Sequence, residues 1–276
     1  MKEKLMQLLA MDFAARQQYI NESGEELLQE MLLNIGVTDD ELRDKLNYRV
    51  FIELLSAQLW TPKQMTHLAT VLITNNYLYY KVEEQDKDSV FTRSFSALWL
   101  AGLLQVDRQL HFLTDDTARQ VINVTLPYLQ RERDVRGFVE EQGWAHAVAH
   151  GADLAVAVVN HPLFQVSDAP VLLQGVKEVL WKDSVYTDDE DERLVKVIEA
   201  LIAMDFPEEV LVEWVEQIFD KLDLHLYEIG YTPAFFAART NTLHFIKTLY
   251  FTLKFSNQYN QLRGVCSIFI GKWMKY

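Results

Sequence analysis

Cysteine is almost missing from this chain. A single Cys266 in 276 residues rules out an internal disulfide and fits a reducing, cytoplasmic setting. No histidine or acid lies near it in sequence, so the thiol reads as inert packing. Helix breakers are scarce too, with 10 glycines and 6 prolines. The two longer loops, at 86–88 and 161–168, lack the Pro/Gly/Ser composition of a flexible linker, which predicts one domain over 1–276. Positive charge is in short supply: 26 Lys and Arg face 40 Asp and Glu, for a net charge of -14. Such a chain has no broadly basic surface for nucleic acid or for an anionic membrane, so neither is an expected partner. Long apolar runs are absent as well. The longest, near 98–104, falls far short of the roughly 20 residues that span a bilayer. The opening MKEKLMQLLAMDFAARQQYI carries Glu3 and Asp12 inside an amphipathic pattern and reads as a first helix, not a signal.

What the chain does have is helical period. Apolar residues recur at spacings of three and four almost throughout, and no run alternates as a strand does. Thr61-Pro62 and Thr232-Pro233 each offer an N-cap followed by a first-turn proline. The expectation is an all-α fold with helices at 2–18, 24–34, 39–60, 62–80, 88–106, 114–131, 137–160, 169–183, 188–204, 207–228 and 232–256, and a last one at 258–272. Thr-Asp-Asp recurs at Thr38, Thr114 and Thr187, 76 and then 73 residues apart. Two helical pairs per interval would give a repeat of about 37 residues, the size of HEAT-like units stacked in an α-α superhelix. A globular helical bundle is the alternative. Thr38 with Glu41 and Thr187 with Glu190 also fit capping boxes.

Charge is divided unevenly. Residues 229–276 hold no acid, six basic residues and 11 of the 33 aromatics, which leaves residues 1–228 at -20. This predicts a basic, aromatic C-terminal layer packed on an acidic body. An anion or partner surface is the functional alternative.

One stretch stands apart. In GWAHAVAHGAD, 143–153, three polar residues interrupt an otherwise apolar segment. On a helix advancing about 100° per residue, His146, His150 and Asp153 share a stripe roughly 60° wide, while Trp144 falls about 160° from His146. Ala145, Ala149 and Ala152 would let a neighbouring helix approach closely, so this helix should be central. Histidines four apart suit one divalent metal, zinc, iron or manganese, with Asp153 as a third candidate ligand. Asp153 would sit about 10.5 Å of rise from His146, however, so a ligand from another segment is needed; Glu132, Asp134 and the 190–192 acids are the candidates. The plainer reading pairs His150 with Asp153 and gives His146 a backbone carbonyl. Arg93 and Arg136 open two neighbouring helices and could clamp an anion or tie elements together. Ser94 makes a poor nucleophile, since nothing in the sequence places a base beside it.

LRDKLNY at 42–48, SVFTRSFSAL at 89–98, ERDVRGFVEEQGWAHAVAHGADL at 132–154 and DEDERL at 189–194 resemble the spaced motifs of a bacterial all-helical family, domain of unknown function 2785. The resemblance carries no activity and no catalytic role. It implies that polar residues from four segments converge on one face: Arg93, Asp134, Arg136, Trp144, His146, His150, Asp153, Glu190 and Arg193. The functional expectation is a cytoplasmic helical-repeat binding or scaffold module whose groove takes a protein or small-molecule ligand, with no cofactor assured and a divalent metal, zinc, iron or manganese, as the candidate. The alternative is a metal-dependent hydrolase or other metal enzyme centred on His146 and His150.

Overall fold

A computed structural model describes residues 1–84, 86–182 and 184–274. The chain is all-α, broken among the described residues by one two-stranded ribbon, and divides into two compact units, Met1–Phe164 and Gln165–Tyr276.

The first unit begins with α1 (Lys2–Ala10) and α2 (Phe13–Leu33). The break expected after residue 18 falls instead at Asp12, whose carboxylate accepts from the Ala15 N–H at 2.8 Å as an N-cap. Gly24 does not end the helix. It makes room for Gln64, whose Nε2 would lie 2.7 Å from a Cβ at that position. A π-helical segment, Glu41–Tyr48, runs directly into α3 (Arg49–Ser56). α4 (Pro62–Leu72) opens on the expected threonine and proline, with a complete capping box between Thr61 and Gln64. α5 (Ser89–Leu110), α6 (Asp115–Thr125) and the single turn α7 (Tyr128–Arg131) follow. Next come β1 (Phe138–Val139), β2 (Gly143–Trp144) and α8 (Ala147–Val159).

α8 is central to this unit, as its alanines imply. It packs most extensively on α5 and also touches α6 and α7. Ala149 and Ala152 are buried at the contact. Gly151 admits the Tyr128 ring so closely that a Cβ would lie 2.7 Å from it, so a residue of any other size would push α7 away. α5 supplies the bulk, burying Phe91, Phe95, Trp99 and Leu103, with Trp99 stacked on Phe51 at 4.1 Å.

In the second unit, a 3-10 turn (Val166–Asp168) leads into α9 (Ala169–Val179), α10 (Glu190–Ala203), α11 (Glu208–Ile229), α12 (Pro233–Ser256) and α13 (Asn260–Met274). The C-terminal stretch packs as a layer of this unit. Phe269 stacks on Phe219 at 3.6 Å, Glu208 caps the start of α13 through the Gln261 and Leu262 N–H groups, and Lys272 pairs with Asp223 at 2.6 Å. Asn241, fully buried, accepts from the Tyr186 N–H and donates to the Ser184 carbonyl, fixing the approach to α10. Cys266 is buried and its thiol is pushed up to about 12 by desolvation, in keeping with inert packing.

The three Thr-Asp-Asp signals do not mark equivalent positions. Thr114 caps α6 through the Thr117 N–H, but at 38–40 it is Asp39 that accepts from the Leu42 N–H. At 187–189 the cap position falls on Asp189, left-handed at φ 65° and without a side-chain bond, while Glu190 turns back to the Asp188 N–H. Neither capping box expected at Thr38 and Thr187 forms. A short polar side chain caps whichever free N–H it can reach, so its recurrence is weak evidence of a structural repeat. No helix among the described residues is long and apolar enough to cross a membrane.

His161 and Asp107 close the first unit with a buried pair, Nε2 to Oδ2 at 2.9 Å. Asp107 Oδ1 accepts from the Leu113 N–H, and His161 Nδ1 accepts from the Leu163 N–H, so the ring donates from Nε2 and both residues are satisfied. His161→Ala or Asp107→Ala strands the partner in the core and should lower the unfolding free energy by about 2–4 kcal/mol in urea titrations; a loss under about 1 kcal/mol would contradict this role. Truncation after Glu228 bares the apolar side of α11 and should yield aggregating protein by size-exclusion chromatography.

Candidate functional site

The helix expected at 137–160 begins only at Ala147. Its first third is a hairpin, with Phe138 opposite Trp144 and Val139 opposite Gly143. Two glycines, 137 and 143, weaken a helix there, and Gly143 takes φ +75°. A Cβ at Gly143 would come 2.6 Å from that of Asp40, so only glycine fits against the π-helical segment. Glu141 turns the chain at φ 63°, and Phe138 packs edge-on to Trp144 at 4.9 Å.

Arg43 holds this hairpin. Its guanidinium is wholly buried and donates to the carbonyls of Val37 and Gln142 at 2.6 Å and of Trp144 at 3.3 Å. It also lies over the rings of Phe91 and Phe95, 4.1 and 5.0 Å from their centres. Desolvation pushes its pKa down to about 10, against the pull of Asp44, Asp40 and Asp39, so it remains a cation at neutral pH. Nothing in LRDKLNY itself marks this arginine out as one that holds a distant hairpin. The hairpin's own signal is a pair of glycines flanking an acidic turn, which reads as a hairpin as readily as a helix.

The hairpin delivers the chain to His146 in a left-handed conformation, φ 49° and ψ 32°, at the N-cap of α8, with no side-chain cap bond. His146 is therefore not on the helix. Its ring stacks on Trp144 at 4.3 Å with only 11° between planes, and its centre is 5.8 Å from that of His150. Trp144, expected across the helix from His146, lies against it because the segment is a strand. His146, His150 and Asp153 are all half-buried. Asp44 adds a carboxyl close enough to interact with His146, and burial holds it above the usual carboxylate range.

His150 is oriented from behind. Ser94 on α5 is fully buried, and its Oγ lies 2.8 Å from His150 Nδ1 while donating its own proton to the Ala145 carbonyl. With that proton committed, Ser94 accepts from Nδ1–H, and Nε2 becomes the acceptor nitrogen of the neutral ring. Phe95 packs edge-on to the same ring at 5.3 Å. An imidazole does stand beside Ser94, for which the sequence offered no sign, yet the nitrogen facing it carries a proton, the hydroxyl is inaccessible and its hydrogen is spent on a carbonyl.

The remaining candidates are tied up elsewhere. Arg93 and Glu132 form a buried two-point ion pair, with Nε and Nη2 each 2.7 Å from a carboxylate oxygen. Arg93 also donates to the Tyr80 carbonyl and to Ser89, and Glu132 accepts from the Arg133 and Asp134 N–H groups. Neither is available to a ligand. Arg136 grips Asp134 and the Lys87 carbonyl. Glu190 and Arg193 belong to α10 of the second unit. Glu190 is buried, which raises its carboxyl above the ordinary range, and Arg193 is exposed. Among the described residues, no group of three or more His, Cys, Asp and Glu side chains is placed to hold a metal ion. The first unit thus brings together Trp144, His146, His150 and Asp44, while Arg93, Asp134 and Arg136 serve as structural ties.

Arg43→Met should cost about 3 kcal/mol or more, since it leaves three carbonyls without their donor. Arg43→Lys should recover little of this, because an ammonium cannot reproduce the planar fork. Hydrogen exchange over 137–146 checks the claim: both variants should lose protection there ahead of α8. Unchanged exchange would show the hairpin to be held by other contacts.

No curated protein and no solved structure matches this chain. A family model described as "Protein of unknown function (DUF2785)" matches residues 78–251, a span that takes in α5, the hairpin, α8 and most of the second unit. The chain belongs to that family.

Proposed function

We propose that the protein is a cytoplasmic binding module that takes a small, planar, polar ligand on the ledge formed by Trp144, His146 and His150. The observation that carries this reading is the placement of His146. A non-glycine residue in the left-handed region costs about 1–2 kcal/mol, and an N-cap normally supplies a side-chain acceptor. His146 incurs the first cost without providing the second. What it does provide is a half-buried imidazole lying flat on an indole and 5.8 Å from a second imidazole. Such a ledge offers a flat aromatic face beside the edge of a titratable imidazole. The orienting bond from Ser94 supports the same reading, since it fixes which nitrogen of His150 accepts. A metal enzyme finds less support, because a catalytic zinc needs three protein ligands and Glu132 is consumed by Arg93.

Two substitutions separate ledge from packing. His146→Gly relieves the left-handed strain but loses the ring contact and adds chain entropy, so its stability should stay within about 1 kcal/mol of the parent. His146→Ala keeps the strain and should fall about 1 kcal/mol below the glycine variant. Ligand-observed NMR with neutral heteroaromatic fragments should show binding to the parent that both variants lose. A glycine variant destabilised by more than about 3 kcal/mol would mark His146 as core packing instead. Stoichiometric zinc, iron or manganese in the purified parent, lost in His146→Gly, would replace this reading with the metal one.

A further inference from the structure

The second unit contains a cavity of about 360 Å3 that the histidine ledge does not explain. Its walls are aromatic: Tyr231, Phe235, Phe236 and Trp273. Phe235 is fully buried, whereas Tyr231 and Phe236 are 75% and 45% exposed. Tyr231 and Phe236 run nearly parallel, 6.0 Å apart with 26° between planes, and the Phe235 and Trp273 rings are 6.1 Å apart. The volume lies near the lower end of the roughly 300–1,000 Å3 range typical of small-molecule sites.

Charge narrows the occupant. Lys272 and Asp223 both line the cavity but neutralise each other at 2.6 Å. Arg239 lines it as well, and among the described residues it has no carboxylate partner. Its contacts are the Trp273 carbonyl at 3.2 Å and the indole face at 5.7 Å. Among the described lining residues, one positive charge is therefore left over.

We infer that this cavity binds a planar aromatic monocarboxylate, its ring against the aromatic walls and its carboxylate on Arg239. A phosphate ester, carrying between one and two charges at neutral pH, would exceed the one uncompensated cation. A neutral aromatic would leave the Arg239 charge unanswered.

Isothermal titration of the full chain with indole-3-acetate, and with its neutral amide as the matched control, tests the inference. The acid should give saturable heat and bind at least about tenfold tighter than the amide, the scale of a hydrogen bond to a charged group. Arg239→Gln should weaken the acid about tenfold and leave the amide unchanged. Because Arg239 also holds the Trp273 backbone, Phe236→Ala serves as a second variant; its exposed ring can be removed without opening the core, and the acid should bind severalfold more weakly. His146→Gly should bind the acid as the parent does. No saturable heat from the acid, equal binding of acid and amide, binding unaltered by both Arg239→Gln and Phe236→Ala, or binding lost in His146→Gly would each overturn the assignment.

Discussion

A guanidinium buried without a facing carboxylate organises the first unit. The terminal nitrogens of Arg43 donate to three backbone carbonyls and its plane lies over two aromatic faces, so the ribbon that supplies two of those carbonyls cannot leave without stranding the cation. A buried ion pair could rearrange as a unit, but this arrangement is tied to particular backbone atoms. The ribbon is short, and its two paired positions would not hold in isolation. Its shape persists because Arg43, together with the close approach of Gly143 to Asp40, determines it from outside.

From that constraint the ledge follows. With the ribbon fixed, Trp144 faces back along the chain and His146 must turn left-handed to enter α8. Strain of this kind persists only where the surroundings over-determine it, and here they do: Ala145 and Ala147 on either side are buried against Val90 and Phe91. α5 then contributes twice, giving Phe91 and Phe95 to the guanidinium and Ser94 to His150. One helix face thus positions both the support and the imidazole it supports.

The two ion pairs nearby illustrate how charge can mislead. Arg93 and Arg136 look like ligand clamps in sequence, yet each is matched by a carboxylate within the first unit, at Glu132 and Asp134. Burial decides the matter for Arg93, since a side chain that is 3% exposed must be satisfied where it lies. In the second unit the uneven charge has the reverse outcome. Lys272 is matched by Asp223, but among the described residues Arg239 has no carboxylate partner.

Composition and period alone determined that this chain is all-α, that the alanine-rich segment ending at Val159 would be buried at the centre of its unit, and that Thr61 and Thr232 would start helices. These properties depend on residues within a few positions of one another, and local spacing records them faithfully. The ribbon at 138–144, the left-handed His146, the commitment of Glu132 to Arg93 and the placing of Ser94 against His150 were decided only in three dimensions. Arg43 reaches a carbonyl 99 residues away, and Ser94 an imidazole 56 residues away. A helical wheel drawn through 143–153 had no means of registering a cation that arrives from another helix and holds the backbone out of helical shape.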